Sequence, residues 1–283
     1  MKACKTLLLA AAVAAAGAAA AANEPPVNAG PYVPSPQSVV ADMLKLAEVG
    51  PKDFVIDLGS GDGRIVLTAA KVFGASGFGV EIQDKLVQLS NEAAKKEGVA
   101  DRVKFVTQDL FKTDISKATV LTMYLLPNTV NMLKDKLLAE LRPGTRVLSH
   151  DYPLAGWIPE KYVQMDLEDK VAISGVTTTL IYLYMVPAKV AGNWNLKLSP
   201  ALSKDPIRID LKQQLTRVSG MARVGGKEVP LDEAKLRGDK LDFRLVTGGK
   251  VMNFTGSIKA GAIEGVVESA GVKTPWSAAP AGK

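Results

Sequence analysis

Asp57-Leu58-Gly59-Ser60-Gly61-Asp62-Gly63-Arg64 is the stretch on which the fold turns. It follows the apolar run Phe54-Val55-Ile56 and leads into the helical pattern Ile65, Val66, Leu67, Ala69, Ala70. An acid, three glycines at every second position and then a helix predict a strand-to-helix turn that holds a ligand. Gly59 and Gly61 have no side chain, so the backbone there approaches a ligand closely and tolerates positive φ. Gly63 lets the helix pack near the strand. The helix N-terminus presents free N–H groups and the positive end of a dipole to a carboxylate. The spacing is G-x-G-x-G, not the G-x-G-x-x-G of dinucleotide enzymes.

Outward from this turn, strands and helices alternate. Short apolar strands are predicted at 53–58, 77–81, 103–107, 118–124 and 145–150, and helices at 63–72, 83–97 and 128–141. Repeated β-α units imply an α/β fold with a parallel sheet and right-handed crossovers. Two more strands, near 161–168 and 177–186, have no long helix between them and predict an antiparallel hairpin that closes the sheet. Upstream, residues 23–36 read as an extended arm rich in Pro, Asn and Gly. Ser35-Pro36 reads as the N-cap and first residue of a helix with Val39, Val40, Met43, Leu44 and Ala47 on one face. This α/β domain spans 37–187.

Residues 188–193 read as a linker. Beyond them, Trp194–Leu198, Ile207–Leu211 and Leu241–Leu245 alternate apolar and polar residues, with turns such as Gly225-Gly226 and Gly248-Gly249 between segments. Residues 194–283 are thus predicted to be an antiparallel all-β module, sandwich-like or barrel-like. Its strongest helix signal is Leu231–Leu236.

The chemistry gathers at strand ends. Asp57 is placed to accept from a ligand ammonium. Glu81, in Gly79-Val80-Glu81-Ile82, ends the next strand, where an acid takes both hydroxyls of a ribose. Asp109, in Thr107-Gln108-Asp109-Leu110-Phe111, is placed to accept from an adenine amino group, with Leu110 or Ile82 against the ring. Three acids beside one glycine loop fit a single adenosyl ligand at the carboxyl edge of the sheet. With the loop spacing, they favour S-adenosylmethionine over NAD. His150 and Asp151 end the fifth strand, and a histidine there is a candidate base for an acceptor that must be neutral to attack.

The stretch from Pro31 to Trp157 resembles class I S-adenosylmethionine-dependent methyltransferases. More narrowly, it is similar to a bacterial group that carries Pro31-Tyr32-Val33-Pro34-Ser35-Pro36, the glycine loop, Tyr124-Leu125-Leu126-Pro127 and Ser149-His150-Asp151. That group is similar to the small lysine methyltransferases that modify mitochondrial membrane and carrier proteins. The resemblance implies a Rossmann-like methyltransferase sheet, bound S-adenosyl-L-methionine, and methyl transfer to an acceptor, either a protein amine or a small molecule. It also implies that the aromatic-proline arm at Tyr32 folds over the cofactor. Amino-methylating relatives often carry Asn/Asp-Pro-Pro-Tyr/Phe after the fourth strand. Tyr124-Leu125-Leu126-Pro127-Asn128 departs from that pattern, which weakens adenine or glutamine as acceptor and leaves Tyr124 and Asn128 as candidates to orient it.

Composition sets the outer limits. The chain has 283 residues, 47% hydrophobic and 23% charged. Lys2 and Lys5 precede an apolar run from Leu7 to Ala22 that ends in Ala20-Ala21-Ala22, the pattern of a signal peptide over 1–22. The alternative, a membrane anchor, fits less well, because the run is short and rich in alanine. Cleavage there takes the formal net charge from +6 to about +4 and removes the single cysteine. The mature chain then has no thiolate ligand, and with one histidine no metal centre is expected. No dense Lys/Arg run points to nucleic acid. The expected location is the periplasm, where the supply of S-adenosylmethionine becomes a question. The competing function is therefore an exported nucleoside-ligand or partner-binding protein with no methyl transfer; an NAD(P) oxidoreductase ranks third.

Overall fold

The computed structural model describes residues 30–282; the predicted signal peptide lies outside them. Five parallel strands form the first sheet: β1 (Phe54–Leu58), β2 (Ser76–Glu81), β3 (Val103–Thr107), β4 (Val120–Met123) and β5 (Arg146–His150). Two antiparallel strands, β6 (Lys161–Asp166) and β7 (Thr178–Met185), complete it in the order β3-β2-β1-β4-β5-β7-β6. Successive residues of β1 point to opposite faces. Val55 packs under α1 (Gln37–Leu46) and α2 (Arg64–Phe73). Ile56 and Leu58 pack with Leu133 and Leu137 of α4 (Pro127–Glu140). Burial on both faces explains why the strand reads as an almost unbroken apolar run. Helix α3 (Asp84–Lys96) seals the β2–β3 edge through Val87 and Ala94 against Val103 and Phe105.

The sheet reverses its winding at β1, whose neighbours are β2 and β4. Ligands of open α/β sheets bind outside the carboxyl ends at such a switch point. The loops after β1, β2, β3 and β4 meet there.

Three local expectations change. Ser35 does not cap α1: Pro36 holds the cap position without a side-chain cap bond, and the Ser35 hydroxyl lies 2.9 Å from His150 Nδ1. A short helix, α5 (Glu168–Ser174), stands between β6 and β7; a seven-residue segment is too short to show helical periodicity. Residues 188–193 are not a free tether, because Ala188 and Val190 are 1% and 0% exposed in the core of the second unit.

That unit is a nine-stranded antiparallel meander. Its strands are β8 (Gly192–Lys197), β9 (Ile207–Gln214), β10 (Arg217–Val224), β11 (Lys227–Pro230), β12 (Asp232–Arg237), β13 (Lys240–Thr247), β14 (Lys250–Lys259), β15 (Ala262–Ser269) and β16 (Val272–Pro280). First and last strands pair, β8 with β16. The sheet ends, β11 and β12, come together where the Leu231 amide donates to the Gly220 carbonyl of β10 at 2.9 Å. The result is barrel-like. The helix signal at 231–236 is overridden, because β12 pairs with β13 and turns Leu236 into the core. Ile207, Ile209 and Leu211 point inward and Arg208, Asp210 and Lys212 outward, the period of two seen in the sequence. Phe243, Phe254 and Trp276 form the aromatic centre, with Phe243 stacked on Phe254 at 4.5 Å and Trp276 edge-on to both.

The barrel meets the first sheet at its amino edge. Gly238 packs against Gly144, just before β5, and Met185, the last residue of β7. The Ala188 amide donates to the Gly238 carbonyl at 2.8 Å, and Arg237 pairs with Glu160 at 2.6 Å. The switch-point crevice lies at the opposite, carboxyl edge. The barrel is therefore not its cover.

Candidate active site

A cleft with an empty volume of about 1050 Å³, its open side included, lies over the carboxyl ends of β1 to β4. Tyr32, Asp57, Gly59, Gly61, Glu81, Asp109 and Tyr124 all line it. Gly63, Asn128, His150 and Asp151 are not among its lining residues.

Each glycine is required by a neighbour. A Cβ on Gly59 would stand 2.7 Å from the Leu125 side chain, and one on Gly61 2.4 Å from the Tyr32 ring. Both residues also have positive φ, +75° and +53°. Gly63 caps α2 in the left-handed conformation. A Cβ there would meet the Phe105 ring at 2.7 Å, so Gly63 works in helix–sheet packing, the role its position suggested.

Asp57 is 2% exposed. Burial pushes its carboxyl up to about 7, a hydrogen bond from Thr122 pulls it down, and the charges of Asp62 and Glu81 raise it. The Thr122 hydroxyl donates to it at 2.7 Å. A group that titrates near neutrality between two other carboxylates is suited to a cationic partner.

Glu81 is more occupied than the sequence suggests. Its Oε2 accepts from the Gly61 amide at 3.0 Å, and its Oε1 from the amides of Ile82 at 2.8 Å and Gln83 at 3.1 Å. A carboxylate has about four lone-pair sites. One remains, so this geometry has room for one further donor where the sequence reading placed two ribose hydroxyls. Asp109 uses Oδ1 on the Phe111 amide at 2.8 Å, a turn cap, while also facing the cleft. Ile82 and Leu110 line the same wall.

Sequence reasoning missed four contributors. The Ser60 hydroxyl is buried, lines the cleft and has no protein partner among the described residues. Such an atom has a hydrogen bond to offer a ligand. Asp62 and Arg64 form an ion pair at 2.6 Å. Burial raises the Asp62 carboxyl, but the Arg64 hydrogen bonds and charge outweigh it and hold the group low. Arg64 Nη1 also donates to the Ser35 carbonyl at 2.7 Å, tying the arm to α2. Asp62 and Arg64 stand inside the glycine loop, so their position was visible; their partners were not. Tyr152 lines the cleft, its carbonyl accepting from Ser149 Oγ at 2.6 Å.

The structure separates the four acceptor candidates. His150 is fully buried, and burial lowers its pKa to about 4, with Asp151 raising it and Lys170 lowering it. It is neutral at physiological pH and is not among the residues that line the cleft. Its ring instead stacks on Tyr124 at 3.9 Å. Asn128 is exposed in the first turn of α4 and outside the cleft lining. Asp151 sits behind Tyr124, paired with buried Lys170 at 2.7 Å. Tyr124 alone of the four reaches the cleft.

The residues present fit S-adenosylmethionine: glycines that exclude side chains, an orphan hydroxyl, and acids at successive strand ends. The sheet order and this cleft define a class I S-adenosylmethionine-dependent methyltransferase.

Comparison with known proteins agrees. Residues 57–161 match the family described as the ANTKMT methyltransferase domain. A protein-lysine N-methyltransferase of Saccharolobus islandicus is 44% identical over 157 residues, covering 55% of this chain and 93% of that protein. The adenine nucleotide translocase lysine N-methyltransferase of Mus musculus is 35% identical over 156 residues, 55% of this chain and 63% of its own length. A solved structure titled as an RNA methyltransferase of Salinibacter ruber with S-adenosyl-L-homocysteine is 44% identical. It covers 56% of this chain and 96% of that one, with a TM-score of 0.50. The chain belongs to the same family of S-adenosylmethionine-dependent methyltransferases as the Saccharolobus islandicus protein, and it is a methyltransferase.

Proposed function

We propose that the protein transfers the methyl group of S-adenosylmethionine to a lysine side chain of another protein. The observation that carries this reading is the 44% identity to a protein-lysine N-methyltransferase across 93% of that relative. The cleft supports it. Its lining carries Asp57, Asp62, Glu81 and Asp109 against one cation, Arg64, which is already paired. An acidic cleft attracts a cationic ligand and a lysine-bearing segment, and repels a phosphate backbone.

When bound, the cofactor supplies an already activated sulfonium methyl, so the protein's part is alignment and exclusion of water. Asp57 holds the ammonium of the methionine moiety. Glu81 takes a ribose hydroxyl, and Asp109 the adenine amino group. The arm from Gly30 to Ser35 lines the cleft and covers the loop, with the Tyr32 ring over Gly61.

Export is the second half of the proposal. The run Leu7–Ala22 after Lys2 and Lys5 supports a cleaved signal peptide and a periplasmic enzyme. Fractionation with N-terminal sequencing tests it: a mature terminus near Asn23 in the periplasm is expected, and an intact cytoplasmic chain contradicts it. For the activity, purified protein is given isotopically labelled S-adenosylmethionine with a protein mixture and, separately, with RNA. Label is expected in lysine; label in RNA alone refutes the acceptor reading.

A further inference from the structure

Lys170 is one of the largest fully buried side chains, 1% exposed, on a helix not read from the sequence. Its Nζ donates to Asp151 Oδ1 at 2.8 Å, to Oδ2 at 2.7 Å, and to the Thr178 carbonyl at 2.5 Å. Asp151 is held just as firmly. It adopts φ +63°, its amide donates to the Leu180 carbonyl at 2.7 Å, and its Oδ1 accepts from the Leu180 amide at 3.0 Å. Burying two charges is costly, and an ion pair of this kind is weak as a source of stability. On its far side Asp151 Oδ1 lies 3.6 Å from Nε2 of His150, whose ring stacks on Tyr124, and the Asp151 charge adds to burial in raising the Tyr124 phenol.

Tyr124 is the member of this chain that reaches the cleft. It follows β4, on the side of β1 away from β2 and β3. The adenosyl acids Glu81 and Asp109 lie on the β2–β3 side, so Tyr124 and Tyr152 stand at the end where the transferred methyl and its acceptor meet. Behind the Tyr124 ring lies His150, fixed by Ser35.

We propose that the buried Lys170–Asp151 pair positions the Tyr124 phenol at the acceptor end of the cleft, which makes α5 part of the methyl-transfer apparatus. The proposal rests on the lysine reading above for its chemistry. Asp151 takes the phenolic proton as a hydrogen bond, leaving the phenol oxygen to accept from the N–H of an incoming amine. Lys170 neutralises Asp151. The acceptor then meets an oriented oxygen and not an uncompensated anion that would hold it as unreactive ammonium. Lys170 and Asp151 are positioning residues; Tyr124 touches the acceptor.

Two readouts test this. The first needs no acceptor. In the full chain labelled with ¹³Cζ-tyrosine, the Tyr124 resonance is the one missing from Tyr124→Phe. The charged and titratable groups around that phenol are Asp151, Tyr152, His150 and, behind Asp151, Lys170 and Tyr182. In the wild type Tyr124 stays un-ionised well above the ordinary tyrosine range; in Asp151→Asn its titration falls toward that range without reaching it, because burial, the larger cause, remains. An unmoved titration in Asp151→Asn overturns the proposal. The second readout is transfer of labelled methyl to poly-L-lysine. Tyr124→Phe and Lys170→Met each lower kcat by about tenfold or more, with S-adenosylhomocysteine affinity unchanged within about twofold. In the Tyr124→Phe background Lys170→Met costs less than about twofold further, and Lys170→Arg recovers much of the loss. A full additional loss in that background overturns the proposal. If Lys170→Met fails to fold, Asp151→Asn takes its place in the cycle. A wild type that methylates no lysine refutes the lysine reading, while the Tyr124 titration still decides the positioning.

Discussion

The Ser35 hydroxyl sits 2.9 Å from Nδ1 of His150 across 115 residues of chain. One contact ties the arm before the first helix to the end of the fifth strand, and it changes the role of both residues. Ser35 is not a helix cap, and His150 is a buried prop beneath Tyr124. With its pKa lowered to about 4, His150 is protonated first in the unfolded chain as pH falls. Its contribution to stability is therefore full above about 6.5 and lost as pH drops toward 4. A shift of that size corresponds to about 3 kcal/mol. His150→Gln should flatten this acid limb in unfolding experiments run from pH 4 to 7. The pH profile of turnover should keep its shape; loss of the limb along which turnover rises with pH would restore His150 as a base.

Asp57 titrates with the opposite sense. Its folded pKa of about 7 is raised above the ordinary carboxylate value, so the unliganded fold is favoured by the neutral form and loses that advantage as pH rises through 7. A cationic ligand reverses the preference. S-adenosylhomocysteine affinity should rise between about pH 5.5 and 7.5, below the range where the ligand's own amine deprotonates. Calorimetry of Asp57→Asn should show weaker binding without that rise. A wild-type affinity flat across the window would remove Asp57 from the ammonium site.

Gly61 and the Tyr32 ring occupy almost the same space, so the loop and arm are shaped to each other. Gly61→Ala places a methyl 2.4 Å from that ring, at φ +53°. S-adenosylhomocysteine affinity should fall by about tenfold or more. In the Tyr32→Ala background the same change should cost clearly less, because only backbone strain remains. Equal losses in both backgrounds would show that the arm does not rest on the loop.

These cases show what was readable in advance. The strands followed from apolar runs and turn residues, since burial on two faces writes itself into composition; their order in the sheet came from the fold. That Asp57, Glu81 and Asp109 line one cleft was legible because each stands at or just after the end of a strand of one parallel sheet. Lys170 was not, since α5 is too short to carry a periodic signal and a lone lysine reads as solvated. The direction of His150 was equally hidden: its partners are Ser35 and Tyr124, distant in sequence, and only the folded sheet decides which way the ring points. The segment around 188–193 looked like a tether because alanine, glycine and valine suit a linker as well as a barrel wall.

The barrel lies at the edge of the sheet opposite the cleft, so damage to its core should leave cofactor binding intact. Trp276 packs edge-on against Phe243 and Phe254 and donates to the Thr255 carbonyl at 3.0 Å. Trp276→Ala should destabilise the barrel by about 3–5 kcal/mol. Calorimetric unfolding would show a lowered barrel transition while S-adenosylhomocysteine affinity holds within about twofold. A matching loss of affinity would mean that the barrel supports the site.

The central claim is methyl transfer to lysine by this cleft. Mass spectrometry of acceptor proteins after incubation with S-adenosylmethionine carrying a deuterated methyl group tests it most directly. The account predicts the deuterated methyl on lysine Nζ, strongly reduced with Asp57→Asn. Lysines that stay unlabelled in the presence of bound cofactor, or label that Asp57→Asn leaves undiminished, would contradict it.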